Sequence, residues 1–208
     1  MPYECDGDSS EQKWRAGASG GGFRTIVVFD GDREVDLEQA SVSALLGYQV
    51  STRVGLVATA GAILGGSVNH GAEGDVGTGV MASISASYLA LYETDSRPFV
   101  LGSLTIGYSR TSAVSDDTQR YSWTAGDVRP GLMVGKTIAQ RFVPFATARV
   151  FGGPVKWKLG GESVTGSDKY HYTLGGGLTY RIPGILDLFV EVMGVGEQSA
   201  SLGLSVAF

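Results

Sequence analysis

The sequence predicts an all-β fold: a closed antiparallel up-and-down transmembrane β-barrel of about ten strands, with eight as the second choice. Three observations predict it. Apolar residues recur with a period of two, as at Val42, Ala44, Leu46, Tyr48 and Val50, which is the repeat of a strand and not of a helix. The opposing positions are small and weakly polar, as at Ser41, Ser43 and Gly47, where a water-facing strand usually carries Lys and Glu. Such residues suit the cramped inside of a narrow barrel, so the apolar face turns outward to lipid. Third, short turns alternate with longer polar connections, which sets the two kinds at opposite ends of a meander. Composition agrees: of 208 residues 43% are apolar, 18% are charged and 32 are Gly, too apolar a balance for a disordered chain.

Taken in order, residues 1–22 are polar, Gly/Ser-rich and without periodicity, and read as a flexible N-terminal tail before a barrel over 23–208. The first candidate strand, 23–30, is the weakest because Arg24 and Asp30 interrupt it. The segment 39–51 carries the alternation already described. The segment 53–66 is the most apolar, but Thr59 and several glycines break it and it falls short of the roughly 18–20 residues of a spanning helix. In 78–92, Val80, Ala82, Ile84, Ala86 and Tyr88 oppose Met81, Ser83, Ser85, Ser87 and Leu89. Weaker segments at 98–112, 121–138, 142–153 and 186–194 complete the series, with Pro130 predicting a bulge or broken ladder in the sixth. In 169–182 the alternation runs from Tyr170 to Ile182, and in 199–208 from Ala200 to Phe208. The turns at 51–53, 93–97, 139–141 and 183–185 are short, whereas 31–38, 67–77, 113–120 and 154–168 read as long polar loops.

Aromatic placement fits a bilayer. Tyr48, Tyr92, Phe99, Phe142, Tyr180 and Phe208 stand beside the short turns, and Phe29, Tyr121, Trp123, Trp157 and Tyr170 stand toward the long loops. Two belts around an aliphatic band are what headgroups and hydrocarbon select. Closure is then required, because an open edge in hydrocarbon leaves backbone groups unpaired.

The final residues Ser201-Leu202-Gly203-Leu204-Ser205-Val206-Ala207-Phe208 resemble the C-terminal assembly signal of bacterial outer-membrane β-barrel proteins. Ser201, Gly203, Val206 and Phe208 carry the match: a polar residue, Gly two further on, an apolar residue third from the end and a terminal aromatic. The resemblance implies assembly in the outer membrane by the barrel assembly machinery, contact with outer-membrane lipid, periplasmic N- and C-termini, and a signal peptide removed on export. The start of the chain, Met1 to Asp8, has none of the basic then apolar organisation of such a signal, so its removal is expected.

Function is less legible. A net charge of −5 without any Lys/Arg cluster speaks against a nucleic-acid partner. The single Cys5 allows neither an intrachain disulfide nor a thiolate metal cage, and no cofactor or metal is expected. Strand parity turns Arg149 and Glu191 inward, and Asp127 and Arg129 with them, as a lumen charge cluster that fills the interior and pairs its charges. Phe145, Phe189, Met133 and Met193 share that parity. The expectation is a non-enzymatic barrel with a largely filled lumen, an anchor, binding or complex component working through its loops or wall, with a protein partner possible. On this reading the intact protein passes no appreciable current, and cutting Arg149 and Glu191 to Ala is expected to raise conductance; the alternative is a narrow passive pore for small solutes. A remoter alternative uses His70, His171, Asp116, Asp117 and Asp168 near the long-loop end. Such a site would resemble the omptin proteases, from which the spacing of Asp168 and His171 and the lack of a tall extension both depart.

Overall fold

The computed structural model describes residues 12–29, 33–69, 73–115, 120–159 and 162–208. The wall is a closed antiparallel barrel of ten strands. They are β1 (Trp14–Phe29), β2 (Arg33–Gln49), β3 (Val54–Asn69), β4 (Glu73–Leu91), β5 (Phe99–Ser115), β6 (Arg120–Gly135), β7 (Phe142–Val150), β10 (Tyr172–Ile182), β11 (Leu186–Gly196) and β12 (Gln198–Ala207). Each pairs with its neighbour in the chain, β7 with β10 across an insertion, and β12 returns to β1 with Arg15 opposite Ala207 and Arg24 opposite Gln198. The insertion is a hairpin, β8 (Val155–Leu159) and β9 (Glu162–Asp168).

The strands come in two lengths. β1 to β6 have 16–19 residues, while β7, β10, β11 and β12 have 9–11. At about 3.3 Å per residue and a tilt of about 40°, the short strands rise roughly 25 Å, the height of a transmembrane barrel's apolar band. The long strands rise roughly 40 Å and therefore overshoot that band at one end.

There the hairpin completes the wall. β8 pairs with the start of β6, with Trp123 opposite Trp157, and β9 pairs with the end of β1 at Val27 and Val28. The barrel thus has ten strands at its base and eight above a waist, where β8 and β9 replace β7, β10, β11 and β12. Bulges bend the wall at this waist. β3 carries an extra residue at Leu64, where Ala40 pairs with Gly65 but Ser41 with Ile63, and β4 breaks register between Val76 and Gly79. Gly65 holds φ at +147°, a conformation glycine alone adopts without strain, and the bulge tightens the local twist.

Polarity reverses along single strands at the same place. In β2 the outer positions Val42, Ala44 and Leu46 are apolar and exposed, while the inner ones are Ser41 and Ser43. Higher up, the outer positions are Glu34, Asp36 and Glu38, and the inner ones are the buried Val35 and Leu37. The lower half is built for hydrocarbon outside, the upper half like a water-soluble barrel with an oily core.

Several sequence expectations are corrected here. Residues 14–22, expected in the tail, form the first half of β1; Ala16, Ala18, Gly20 and Gly22 face out and Gly17, Ser19 and Gly21 face in, and residues this small show no contrast between faces. Residues 1–11 lie outside the described residues. The expected long loops are mostly strand: β1 ends at Phe29 and β2 resumes at Arg33, β3 ends at Asn69 and β4 resumes at Glu73, and 154–168 holds the hairpin. Their charged outer residues mimic loop composition. The expected lack of a tall extension does not hold, since β1 to β6 and the hairpin continue above the height of the short strands. Pro130 stays in unbroken register with Leu104 of β5; the ladder to β7 stops at Gly131 and returns only as the Val128–Gly152 bridge, so the proline stands in that gap.

Candidate functional site: the barrel interior

Large aliphatics on the outside of the lower barrel are well exposed, Ile84 at 66% and Leu202 at 68%, so any site must be sought inside. At the turn end an exterior belt forms from Trp14, Tyr48, Tyr88, Phe142, Tyr180 and Phe208, with Trp14 on Tyr48 and Phe142 on Tyr180 at ring separations of 4.7 and 5.0 Å. Among the described residues, Tyr108, Tyr170 and Tyr172 are the exposed aromatics further up; the side chain of Tyr121, expected there, lies outside them. Two expectations about belts fail. Phe99 is only 1% exposed and lies inside with Leu89 and Val143. Phe29, Trp123 and Trp157 are buried in the upper core, because above the waist the inward parity is the apolar one.

The interior is layered. At the turn end all ten wall strands line a cavity of about 440 Å³. Leu89, Phe99, Leu101, Met133, Val143, Phe145 and Phe189 are its apolar lining; Arg15, Arg181 and Asp187 stand on β1, β10 and β11, Arg149 and Glu191 on β7 and β11, and Lys13 and Arg53 are also on the lining. Asp187 accepts from Arg15 at 2.6 Å and lies 3.8 Å from Arg181, and Arg15 also donates to Ser205 at 2.9 Å. Glycines make room for the rings: a Cβ on Gly203 or Gly177 would come within 2.6 Å of the rings of Phe189 and Phe145 respectively.

Arg149 and Glu191 pair at 2.6 Å at the inner limit of this cavity. Beyond them Arg129 forks onto Glu197 at 2.6 and 3.1 Å, also contacts Asp127, and stacks 4.6 Å from the centre of the Phe151 ring. The four residues expected as one cluster thus form two separate groups. Glu197, tucked inward from the β11–β12 turn and 6% exposed, joins the second. That turn is made by Gly196 at φ +80°, where a Cβ would collide with the Tyr172 carbonyl. Close by, Asp168 accepts from Thr25 at 3.0 Å; burial pushes its carboxyl up, the Thr25 hydrogen bond opposes that, and the charge of Glu197 adds to the rise.

Above these groups the upper barrel is filled. Val27, Phe29, Val35, Leu37, Ile63, Val68, Val76, Trp123, Val155 and Trp157 form one buried cluster, with Phe29, Trp123 and Trp157 meeting at ring separations of 5.5–6.0 Å.

Among the described residues, Asp168 and His171 make no hydrogen bond to each other. Asp168 is engaged with Thr25 while His171 is exposed; His70, Asp116 and Asp117 lie outside the described residues. Among the described residues no three His, Cys, Asp or Glu side chains gather as a metal site. Of the C-terminal residues, Ser201 and Gly203 face inward, Val206 faces outward, and Phe208 exchanges backbone hydrogen bonds with Trp14 at 2.9 and 3.1 Å. Sequence reasoning missed Arg15, Arg181, Asp187 and Glu197. Asp187 shares the parity of Glu191, and Arg181 that of Thr179, so parity alone identifies both; Arg15 was hidden in the supposed tail.

No family model matches the sequence, and no curated protein matches it. Solved structures do. The outer-membrane protease OmpT of Escherichia coli aligns over 96% of this chain and 98% of its own, with TM-score 0.56 and 11% identity. The translocator domain of the autotransporter NalP of Neisseria meningitidis aligns over 97% and 90%, with TM-score 0.54 and 12% identity. The transport unit of the autotransporter AIDA-I of Escherichia coli aligns over 99% and 93%, with TM-score 0.54 and 10% identity. At such identities the likeness is one of architecture: this chain has the closed antiparallel ten-stranded fold found in bacterial outer-membrane β-barrels.

Proposed function

We propose that the protein is a non-enzymatic integral outer-membrane barrel with a closed lumen, acting as an anchor, binding or complex component. The observation that carries this reading is the apolar core of Phe29, Trp123, Trp157 and their neighbours across the upper barrel. Ions and hydrated solutes would have to shed water to pass such a plug, and an ion in a dry apolar medium is heavily penalised. The apolar exterior of the lower barrel and the resemblance of its last strand to an assembly signal support residence in the outer membrane and assembly by the barrel machinery. Short turns and both strand termini then face the periplasm, and the eight-stranded upper barrel stands outside the cell. Its charged surface, where Arg24 binds Asp36 and Lys169 binds Glu34 at 2.6 Å, is the part within reach of a protein partner.

Recording in planar bilayers tests this. The intact protein should give no steady current, and regular unitary steps at low voltage would replace the closed barrel with the narrow-pore reading. The sequence-based expectation about Arg149 and Glu191 changes: reducing both to Ala should leave the barrel silent, because the Arg129 group and the apolar core lie beyond them.

A further inference from the structure

The turn-end cavity has a chemistry that filling space does not require. It holds about 440 Å³, within the roughly 300–1,000 Å³ of small-molecule pockets. Apolar side chains line it from Leu89 on β4 through Phe99, Leu101 and Met133 to Val143 and Phe145 on β7, while Arg15, Arg181 and Asp187 line it from β1, β10 and β11. The lining holds five cations (Lys13, Arg15, Arg53, Arg149, Arg181) against two anions (Asp187, Glu191), an excess of three positive charges in a chain whose net charge is −5. A cleft of one sign with low-dielectric walls concentrates the opposite ion. Deeper in the balance is reversed, the single cation Arg129 facing the two carboxylates Asp127 and Glu197, so the cation excess belongs to the cavity.

We propose that this cavity binds a single-tailed amphiphile with an anionic head, a carboxylate or a phosphate. The tail lies along Leu101, Met133, Phe145 and Phe189, and the head is held by the guanidinium face of Arg15 and Arg181, with Lys13 and Arg53 drawing it in. Arg181 is the guanidinium with capacity to spare, since Asp187 stands 3.8 Å from it but 2.6 Å from Arg15. A planar guanidinium suits both head groups because it donates in parallel to two oxygens. The inference rests on the closed-lumen reading only for the blind end of the cavity.

The experiment uses the full chain in vesicles of zwitterionic phosphatidylcholine and the fluorescent carboxylate 11-(dansylamino)undecanoate. A saturable component of one probe per barrel is expected, displaced by dodecanoate and by dodecyl phosphate, with the stronger competitor showing which head group is preferred. Dodecanol and dodecyltrimethylammonium should compete at least tenfold more weakly. Lys13→Glu with Arg53→Glu changes two exposed side chains and should weaken binding at least tenfold; Met133→Trp should abolish it by filling the cavity. Absence of a saturable component, or equal competition by the neutral alcohol, overturns the proposal. Unitary current together with one-to-one probe binding would defeat the closed lumen but keep the ligand site, whereas a silent barrel that binds no probe would defeat the site alone.

Discussion

Leu204 and Ser205 are neighbours in β12, one 44% exposed on the outer wall and the other 3% exposed beside Arg15, and their faces decide what each tolerates. Leu204→Arg places a cation against hydrocarbon and should cost about 2–4 kcal/mol of folding stability in lipid, read from urea midpoints in vesicles. A cost near zero would mean the faces are misassigned. Inside, Arg149→Ala should cost about 2 kcal/mol, below the 3–5 of a fully dry pair because the cavity gives Glu191 some water. The joint replacement of Arg149 and Glu191 by Met should restore most of that loss, and a double variant as unstable as the single one would refute pairing as the cause. Asp168 supplies a pH test. Burial raises its carboxyl, so the native state holds the proton more tightly than the unfolded chain, and stability falls as pH rises from the ordinary carboxylate value near 4 through the raised one. Asp168→Asn should therefore be the more stable protein at pH 7.5, the gap closing toward pH 4; a gap that widens on acidification would contradict the assignment. At this scale parity made Arg149, Glu191, Asp127 and Arg129 readable as inward, but not who pairs with whom. Glu197 became the partner of Arg129 only through a turn that aims it inward, and parity says nothing about turns.

Among the elements, the hairpin β8–β9 is where the sequence was least legible. Its strands are 5 and 7 residues long, flanked by Pro154 and glycines, and Lys156 and Lys158 alternate with the buried Val155 and Trp157. Those lysines look like loop composition once the outer face is assumed to be apolar. The same assumption hid the upper halves of β1 and β2, where Arg24, Glu34, Asp36 and Glu38 occupy outer positions. Period two was intact throughout, and only the sign of the alternation changed. The lower wall was legible because Ser and Gly against Val, Leu and Ile gives a contrast no helix can mimic. Trp157→Ala removes the largest side chain that the hairpin contributes to the upper core and should cost about 3–5 kcal/mol. The loss should appear as easier proteolysis of the upper barrel, while the lower strands stay protected by lipid. Unchanged protease resistance would show that the hairpin is an ornament on an already stable wall.

For the whole molecule, the reversal of polarity along the long strands acts as a waterline. Exposed Val42 and Leu46 cannot rise into water, and Glu34, Glu38 and Lys156 cannot sink into hydrocarbon without costs of kcal/mol per residue. A simple barrel with a uniform exterior can bob or lean when the bilayer thickens. This one is pinned at the waist, so the membrane has to adjust, thinning or stretching around it for a fraction of a kcal/mol per Å of mismatch. The short strands β7, β10, β11 and β12 carry no outer extension, whereas β2 to β5 do. Immersion is thus fixed more firmly on one side of the cylinder than on the other. A membrane of the wrong thickness should therefore be deformed most beside β2 to β5 and least beside the four short strands.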